Sequence, residues 1–218
     1  KKDYATAEAK LKEVLSVEPN APILQSLLGR VLLATNKNDE AAKVFAETIK
    51  REPLPLQAYA WSQLGLGQLA LQGNKFAEAA AHFRFAAASD LDQTTTLSAR
   101  DGAIKAEQGA NQSKIPDDVR AFLKQLDEAL LTGSADAVRP LVEQGNLGEF
   151  VKRVTSSKPT LWTTEILRAE AWDAERIAVD VNVKVKIIGR EGAGRAVYIL
   201  SRAGGKLKLS EVPIFDVK

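Results

Sequence analysis

The chain has 218 residues, is 45% hydrophobic and 27% charged, and carries a formal net charge of +2. That length leaves room for two domains. The near-neutral balance gives no electrostatic case for nucleic acid or an anionic membrane as a partner. There is no cysteine, which excludes disulfides, thiolate metal sites and cysteine nucleophiles, and no apolar run reaches the roughly 18 residues of a membrane span.

The chain opens at Lys1, inside a repeat and without a signal-peptide pattern, and so reads as a trimmed or mature fragment. Lys1–Val17 is expected to be helical, with Tyr4, Ala7, Leu11 and Val14 or Leu15 on one face. Pro22–Thr35 carries Leu24, Leu27, Leu28, Val31 and Leu32 at helical spacing. Asp39–Arg51 carries Ala41, Ala42, Phe45 and Ile49. Asn36-Lys37-Asn38-Asp39 between them has turn chemistry and a side-chain N-cap candidate.

This pair of helices recurs. Ala7, Leu11, Val14 and Pro19 return as Ala41, Phe45, Thr48 and Pro53, then as Ala79, Phe83, Ala86 and Leu91. Leu28-Gly29 returns as Leu66-Gly67. Gly29 and Gly67 permit close helix approach, Phe45 and Phe83 fill the space between units, and Pro19 and Pro53 stop the second helices. The pattern resembles the tetratricopeptide repeat over Pro22–Pro55 and Gln57–Leu91, with Lys1–Ala21 as the second helix of an earlier unit. Departures are Gln25 where the family often has Trp, Thr48 for Ala, and Leu91 for the closing Pro. Thr94–Gly109 is expected to be one more helix, a cap or the first helix of an incomplete unit.

Ala110–Pro116 is polar and serves as the expected linker, dividing a helical-repeat domain (1–109) from a second domain (117–218). Asp117–Leu131 has one apolar stripe, Val119, Phe122, Leu123, Leu126 and Leu130, with acidic residues at its start. Ser134 is a cap for a short helix through Val142, and Leu147–Val154 makes another turn or two.

The period then becomes two. Ile177, Val179, Val181, Val183, Val185 and Ile187 alternate with Ala178, Asp180, Asn182, Lys184 and Lys186, a strand with one apolar and one polar face. Leu161–Trp172 precedes it, and Arg195–Arg202 and Lys206–Val217 follow. Asp173–Glu175, Gly189–Gly194 and Ala203–Gly205 are read as hairpin turns. Pro213 suits an edge or bulge in the last strand. Helices followed by four antiparallel strands give an α+β fold, so the whole chain is an all-α solenoid joined to α+β. This half resembles the nuclear-transport-factor-2-like superfamily through Val119–Leu131, Ala137–Val142, Leu147–Val154 and the strands of Thr163–Val217. A cystatin-like or other helix-plus-meander domain has the same pattern.

Catalytic and metal chemistry find little support. His82 is the only histidine and has no sequence-local carboxylate or serine to activate it. One histidine and no cysteine make a poor metal set. The glycines of Gly189–Gly194 lie between strands, with no helix N-terminus to complete a phosphate loop. Some cone-fold proteins use a carboxylate and a tyrosine inside the cone. Here Tyr198 is on a strand, and Glu165, Glu170 and Asp173 qualify only if the first strand turns them inward. Lys184, Lys186, Arg190, Arg195, Arg202, Lys206 and Lys208 read as a solvated basic sheet face, with binding of an acidic partner as the alternative. No cofactor is expected and no enzyme is read.

Stacked helical pairs make a concave surface lined by the first helix of each unit. The resemblance implies that Ile23, Ser26, Arg30 and Leu33, then Trp61, Leu64, Gln68 and Leu71, then Ser98 and Lys105 face it. Only Arg30, Gln68 and Lys105 are polar candidates, too few for the clamp some members use on a C-terminal carboxylate. Trp61 beside leucines favours an apolar or helical ligand, from a partner or from within the chain. The expectation is a scaffold that binds a protein or peptide through this groove, with no nucleic acid and no membrane insertion. The alternatives are a small-molecule-binding or catalytic cone with the repeats as a targeting arm, and an assembly role in a longer repeat array.

Overall fold

A computed structural model describes residues 3–111, 114–143, 145 and 147–218. Lys1 and Lys2 of the expected first helix, and Gln112 and Ser113 of the expected linker, lie outside the described residues. The chain divides into two compact units, Lys1–Gln112 and Ser113–Lys218.

The first unit is all helical: α1 (Tyr4–Val17), α2 (Pro22–Ala34), α3 (Asn38–Thr48), α4 (Leu56–Gln72), α5 (Phe76–Ala88) and α6 (Gln93–Gly109). Pro22 and Pro55 stand at helix starts, where a missing N–H is harmless. The expected side-chain cap at Asn36–Asp39 does not form. Lys37 stands at the cap position of α3 without a side-chain bond, and Asn36 turns the chain at φ 60°. The arrangement repeats at Asn74, φ 57°, before Lys75. Asparagine tolerates this left-handed backbone, so its role is the turn rather than the cap. Gln25, where the family often has Trp, spends its amide on the Pro19 carbonyl at 2.7 Å, tying the preceding loop to α2.

Two buried rings set the packing. Phe45 on α3 is completely buried and touches glycines on two helices, Gly29 of α2 and Gly65 of α4. Phe83 on α5 does the same with Gly67 of α4 and Gly102 of α6. A Cβ at any of the four would fall inside van der Waals contact of the ring. Leu28, Leu32 and Ala41 surround Phe45; Ala70, Ala79, Ala80, Ala103 and Ala106 surround Phe83. Leu11 and Leu15 of α1 close the first cluster.

The second unit has α7 (Asp117–Leu131), a broken stretch α8 (Ala135–Val138) with a 3₁₀ turn (Arg139–Leu141), α9 (Gly148–Ser156), and strands β1 (Leu161–Ala171), β2 (Arg176–Ile187), β3 (Arg190–Ala203) and β4 (Lys206–Val217). Ser134 precedes α8 without a side-chain cap bond, and Pro140 lies in the 3₁₀ turn that replaces the expected continuous helix. The strands form an antiparallel meander in the order β1-β2-β3-β4. The apolar stripe of α7 and the inward residues of β2, Val179, Val181 and Val183, share one core with Trp162, Tyr198 and Leu200. No helix among the described residues is long and apolar enough to cross a membrane.

Two expectations about the sheet are corrected. Gly189–Gly194 is not a turn. The chain reverses at Ile188 and Gly189, φ 49° and 75°, and β3 begins at Arg190. Gly192 and Gly194 pair with Val185 and Val183. A Cβ at Gly194 would strike the backbone of Asp216 on β4, so glycine serves close strand approach there. Nor is the polar face of the sheet uniformly solvated. A bulge between Ile166 and Arg168 shifts β1 by one residue and places Arg168 opposite Asp180. The Asp180 side chain is fully buried, with Arg168 at 3.6 Å and Arg195 at 3.7 Å, and Arg168 also holds Glu170 at 2.7 Å.

The Phe45 packing gives the first prediction. Gly29→Leu should destabilise the repeat unit by about 1–3 kcal/mol, the usual cost of overpacking. Urea unfolding followed by circular dichroism checks it, and a wild-type midpoint would refute the two-glycine packing.

Candidate interaction groove and a polar cluster in the second unit

The first helices of successive pairs, α2, α4 and α6, touch in order, so their faces form one continuous surface. Two of the expected groove residues meet there. The Arg30 guanidinium lies 4.4 Å from the centroid of the Trp61 ring, a cation–π contact. Arg30 is exposed and Trp61 half-buried, so the pair is held by the fold and open on one side. Arg30 also acts on Asp92, at the start of α6. Asp92 accepts hydrogen bonds from the Thr95 N–H and hydroxyl, both at 2.8 Å. Those bonds hold its carboxyl below the usual range, and the charge of Arg30 adds to the effect. Asp92 was not singled out from sequence, although Asp92-Gln93-Thr94-Thr95 reads as a helix cap.

The other groove residues divide. Gln68 on α4 and Lys105 on α6 are exposed, as is Ser98. Ile23 is half-buried on α2. Leu64 and Leu71 are half-buried and pack on the Phe83 cluster, and Leu33 on the Phe45 cluster, so part of each belongs to the core. Ser26 corrects the expectation: it is completely buried and its hydroxyl donates to the Ile23 carbonyl at 2.8 Å. A short hydroxyl on a helix finds its own backbone before it finds a ligand.

His82 faces its own unit. Its Nδ1 lies 2.7 Å from Oε1 of the buried Gln63, which makes Nδ1 the donor. Burial holds the ring below its ordinary pKa, so it is neutral at pH 7. Of the carboxylates considered for the cone, Glu165 accepts from Asn182 on the outer face, Glu170 pairs with Arg168, and Asp173 accepts from the N–H groups of Glu175 and Arg176 in the turn. None is turned inward.

A carboxylate that sequence reading missed lies nearer the core of the second unit. Asp127, on α7, accepts from the Thr164 N–H at 2.8 Å and from its hydroxyl at 2.6 Å, tying α7 to β1. Burial pushes its pKa up to about 6 against these hydrogen bonds. The Tyr198 phenol is raised too, first by burial and then by the Asp127 charge. Thr164 and Trp162 lie near enough to the Tyr198 hydroxyl to oppose that rise, but neither this hydroxyl nor the Trp162 indole N–H has a partner with good hydrogen-bond geometry among the described residues. Trp162 stacks on Phe215 at 6.1 Å, and Phe215 meets Phe150 edge-on at 5.6 Å. Asp127 follows Leu126 on the apolar stripe, at a position that reads as solvent-facing. Only the pairing of α7 with β1 reveals it. Among the described residues no group of three or more His, Asp or Glu is placed to hold a metal ion.

Residues 1–62 match the family model described as "Tetratricopeptide repeat". No curated protein matches. Among solved structures, a five-substitution variant of the chain named Rd1NTF2_05 is 14% identical, with 44% of this chain and 95% of that one covered. Its TM-score is 0.38, too low to carry an argument about fold. The α+β character of the second unit therefore rests on its own helices and four-stranded sheet.

Asp127 predicts a pH effect. Its pKa is about 6 when folded against 3.8 for the ordinary group. Between these values the folded chain holds more protons than the unfolded one, so this group's contribution is present at low pH and lost as pH rises through about 6. Asp127→Asn keeps an acceptor for the Thr164 N–H and removes the titration. The variant should gain stability relative to wild type as pH rises from about 4 to about 7, read from urea midpoints across that range. Parallel pH profiles would refute the assignment.

Proposed function

We propose that the chain is a non-enzymatic interaction scaffold that binds a protein or peptide in the groove of its repeats. The observation that carries this is the Arg30–Trp61 stack, a cation and a large aromatic held together on the open surface of helices that match a protein-interaction repeat. Interface energy concentrates in Trp, Tyr and Arg, and such a pair supplies two of the three. Gln68 and Lys105 add exposed polar contacts on the neighbouring helices. The alternative, a ligand-binding or catalytic cone, draws on Asp127 near Tyr198. Asp127 is, however, committed to Thr164 through both oxygens, and a structural tie accounts for it without a substrate.

The test uses a partner recovered by pull-down with residues 1–218. Arg30→Ala with Trp61→Ala, shown to be folded by circular dichroism, should weaken it at least about thirtyfold, since truncating hot spots costs ~2 kcal/mol or more. Lys184→Ala with Lys186→Ala on the sheet should leave affinity unchanged. Binding that survives the groove change and fails with the sheet change would move recognition to the second unit.

The proposal treats 117–218 as a domain that folds alone. Its core of α7, α8, α9 and the sheet is drawn from its own sequence. Residues 116–218 expressed alone should give helix and strand signals and a cooperative thermal transition, as chains of about 100 residues can. A disordered fragment would withdraw the boundary.

A further inference from the structure

A cavity of about 650 Å³ opens between the end of α7, the broken α8 stretch and α9, and no strand residue is among the described residues that line it. Its described lining shares no residue with the groove or with the Asp127 cluster. Its shape follows from sequence. The 3₁₀ turn at Pro140 interrupts the helix, and the chain then passes Gly145 and Gly148. Both glycines are exposed, and a Cβ at either would meet nothing within 4 Å among the described residues.

The floor and the rim differ in chemistry. Val142 and Val151 form the floor and belong to the buried core of the unit. Among the described residues Arg139, Lys152 and Lys158 are the cations of the lining and Glu143 its carboxylate, a balance of +2, three minus one. Lys152 and Lys158 have no ion-pair partner among the described residues, and Arg139 pairs only with the exposed Asp136. Glu143 is engaged by the Ser201 hydroxyl. Thr155 and Ser156 donate to the Val151 and Arg153 carbonyls. Among the described residues, the side chains of the lining left without a partner are thus the ammonium groups of Lys152 and Lys158.

We propose that this cavity binds a small amphiphilic monoanion, its apolar body on Val142 and Val151 and its anionic head between Lys152 and Lys158. The apolar floor gains by losing water, which a bare inorganic anion would not supply. A neutral apolar ligand would use the floor and leave both exposed ammonium groups to water. The monoanion satisfies both, with charge-assisted hydrogen bonds to the lysines. The inference is independent of the groove reading.

Decanoate is the probe and 1-decanol its neutral counterpart, titrated calorimetrically into the full chain below micelle formation. Decanoate should bind saturably at one site, at least about tenfold tighter than decanol. Lys152→Gln with Lys158→Gln should bring decanoate down to the decanol level and leave decanol unchanged. Gly148→Leu places a side chain in the open space and should abolish binding of both, with the unfolding midpoint of wild type. No saturable decanoate binding, or decanoate binding that survives the lysine change, overturns the proposal. If Gly148→Leu unfolds early, the lysine pair decides alone, since both are exchanges at the cavity rim.

Discussion

The repeat unit depends on a phenylalanine ring lying against glycines of two different helices. Phe45 meets Gly29 and Gly65, so α2 and α4 approach as closely as one ring allows. Any side chain at either glycine would push them apart. The site follows from this spacing. Arg30 follows Gly29 directly, and Trp61 sits one turn before Gly65 on α4. Bringing the two glycines to one ring therefore brings Arg30 over Trp61, at 4.4 Å. The core contact and the surface contact are two sides of one helix–helix approach.

The second unit is organised by a different constraint, the change of face within β1. Trp162, Thr164 and Ile166 point inward before the bulge, and Ala169 points inward after it. Without the extra residue, Arg168 would enter the apolar core, where an unpaired guanidinium is costly. With it, Arg168 reaches Asp180 on the outer face. The same strand anchors α7, because Thr164 offers both its N–H and its hydroxyl to Asp127. A partly buried carboxylate tolerates its position there because two donors converge on it, and burial shows instead as the raised pKa.

Much of this was legible in the sequence, and the failures have particular causes. Helix period and the recurrence of Leu28-Gly29 as Leu66-Gly67 located the pairs, because packing of repeated units repeats the residues that pack. Gly65 and Gly102 were missed as ring partners, since a glycine within a helix pattern carries no sign of what lies across from it. Period two found β2 cleanly. It failed for the start of β3, where Gly192 and Gly194 resemble a turn but leave room for β4. Ser26 fell on the groove register yet turned its hydroxyl to its own helix. Arg168 and Asp127 depend on pairings between distant segments, and their types alone read as solvent-facing charges.

The Arg30–Trp61 stack also shapes what the proposed groove can reward. The contact biases the guanidinium toward the ring before any partner arrives, at about 0.5–1 kcal/mol for an exposed pair, and so lowers part of the ordering cost of binding. One face of the indole is already covered, and a ligand aromatic cannot use it. The guanidinium keeps its in-plane donors, which suit a carboxylate or a backbone carbonyl held at the groove edge. Asp92, whose charge feels Arg30 from the start of α6, works against a second anion deeper along the surface. If the groove binds a partner as proposed, a segment with one acceptor at Arg30 suits it better than one carrying a run of acids. Arg30 and Trp61 position each other, so truncating either disturbs the other, and their contributions to binding cannot be separated by single substitutions.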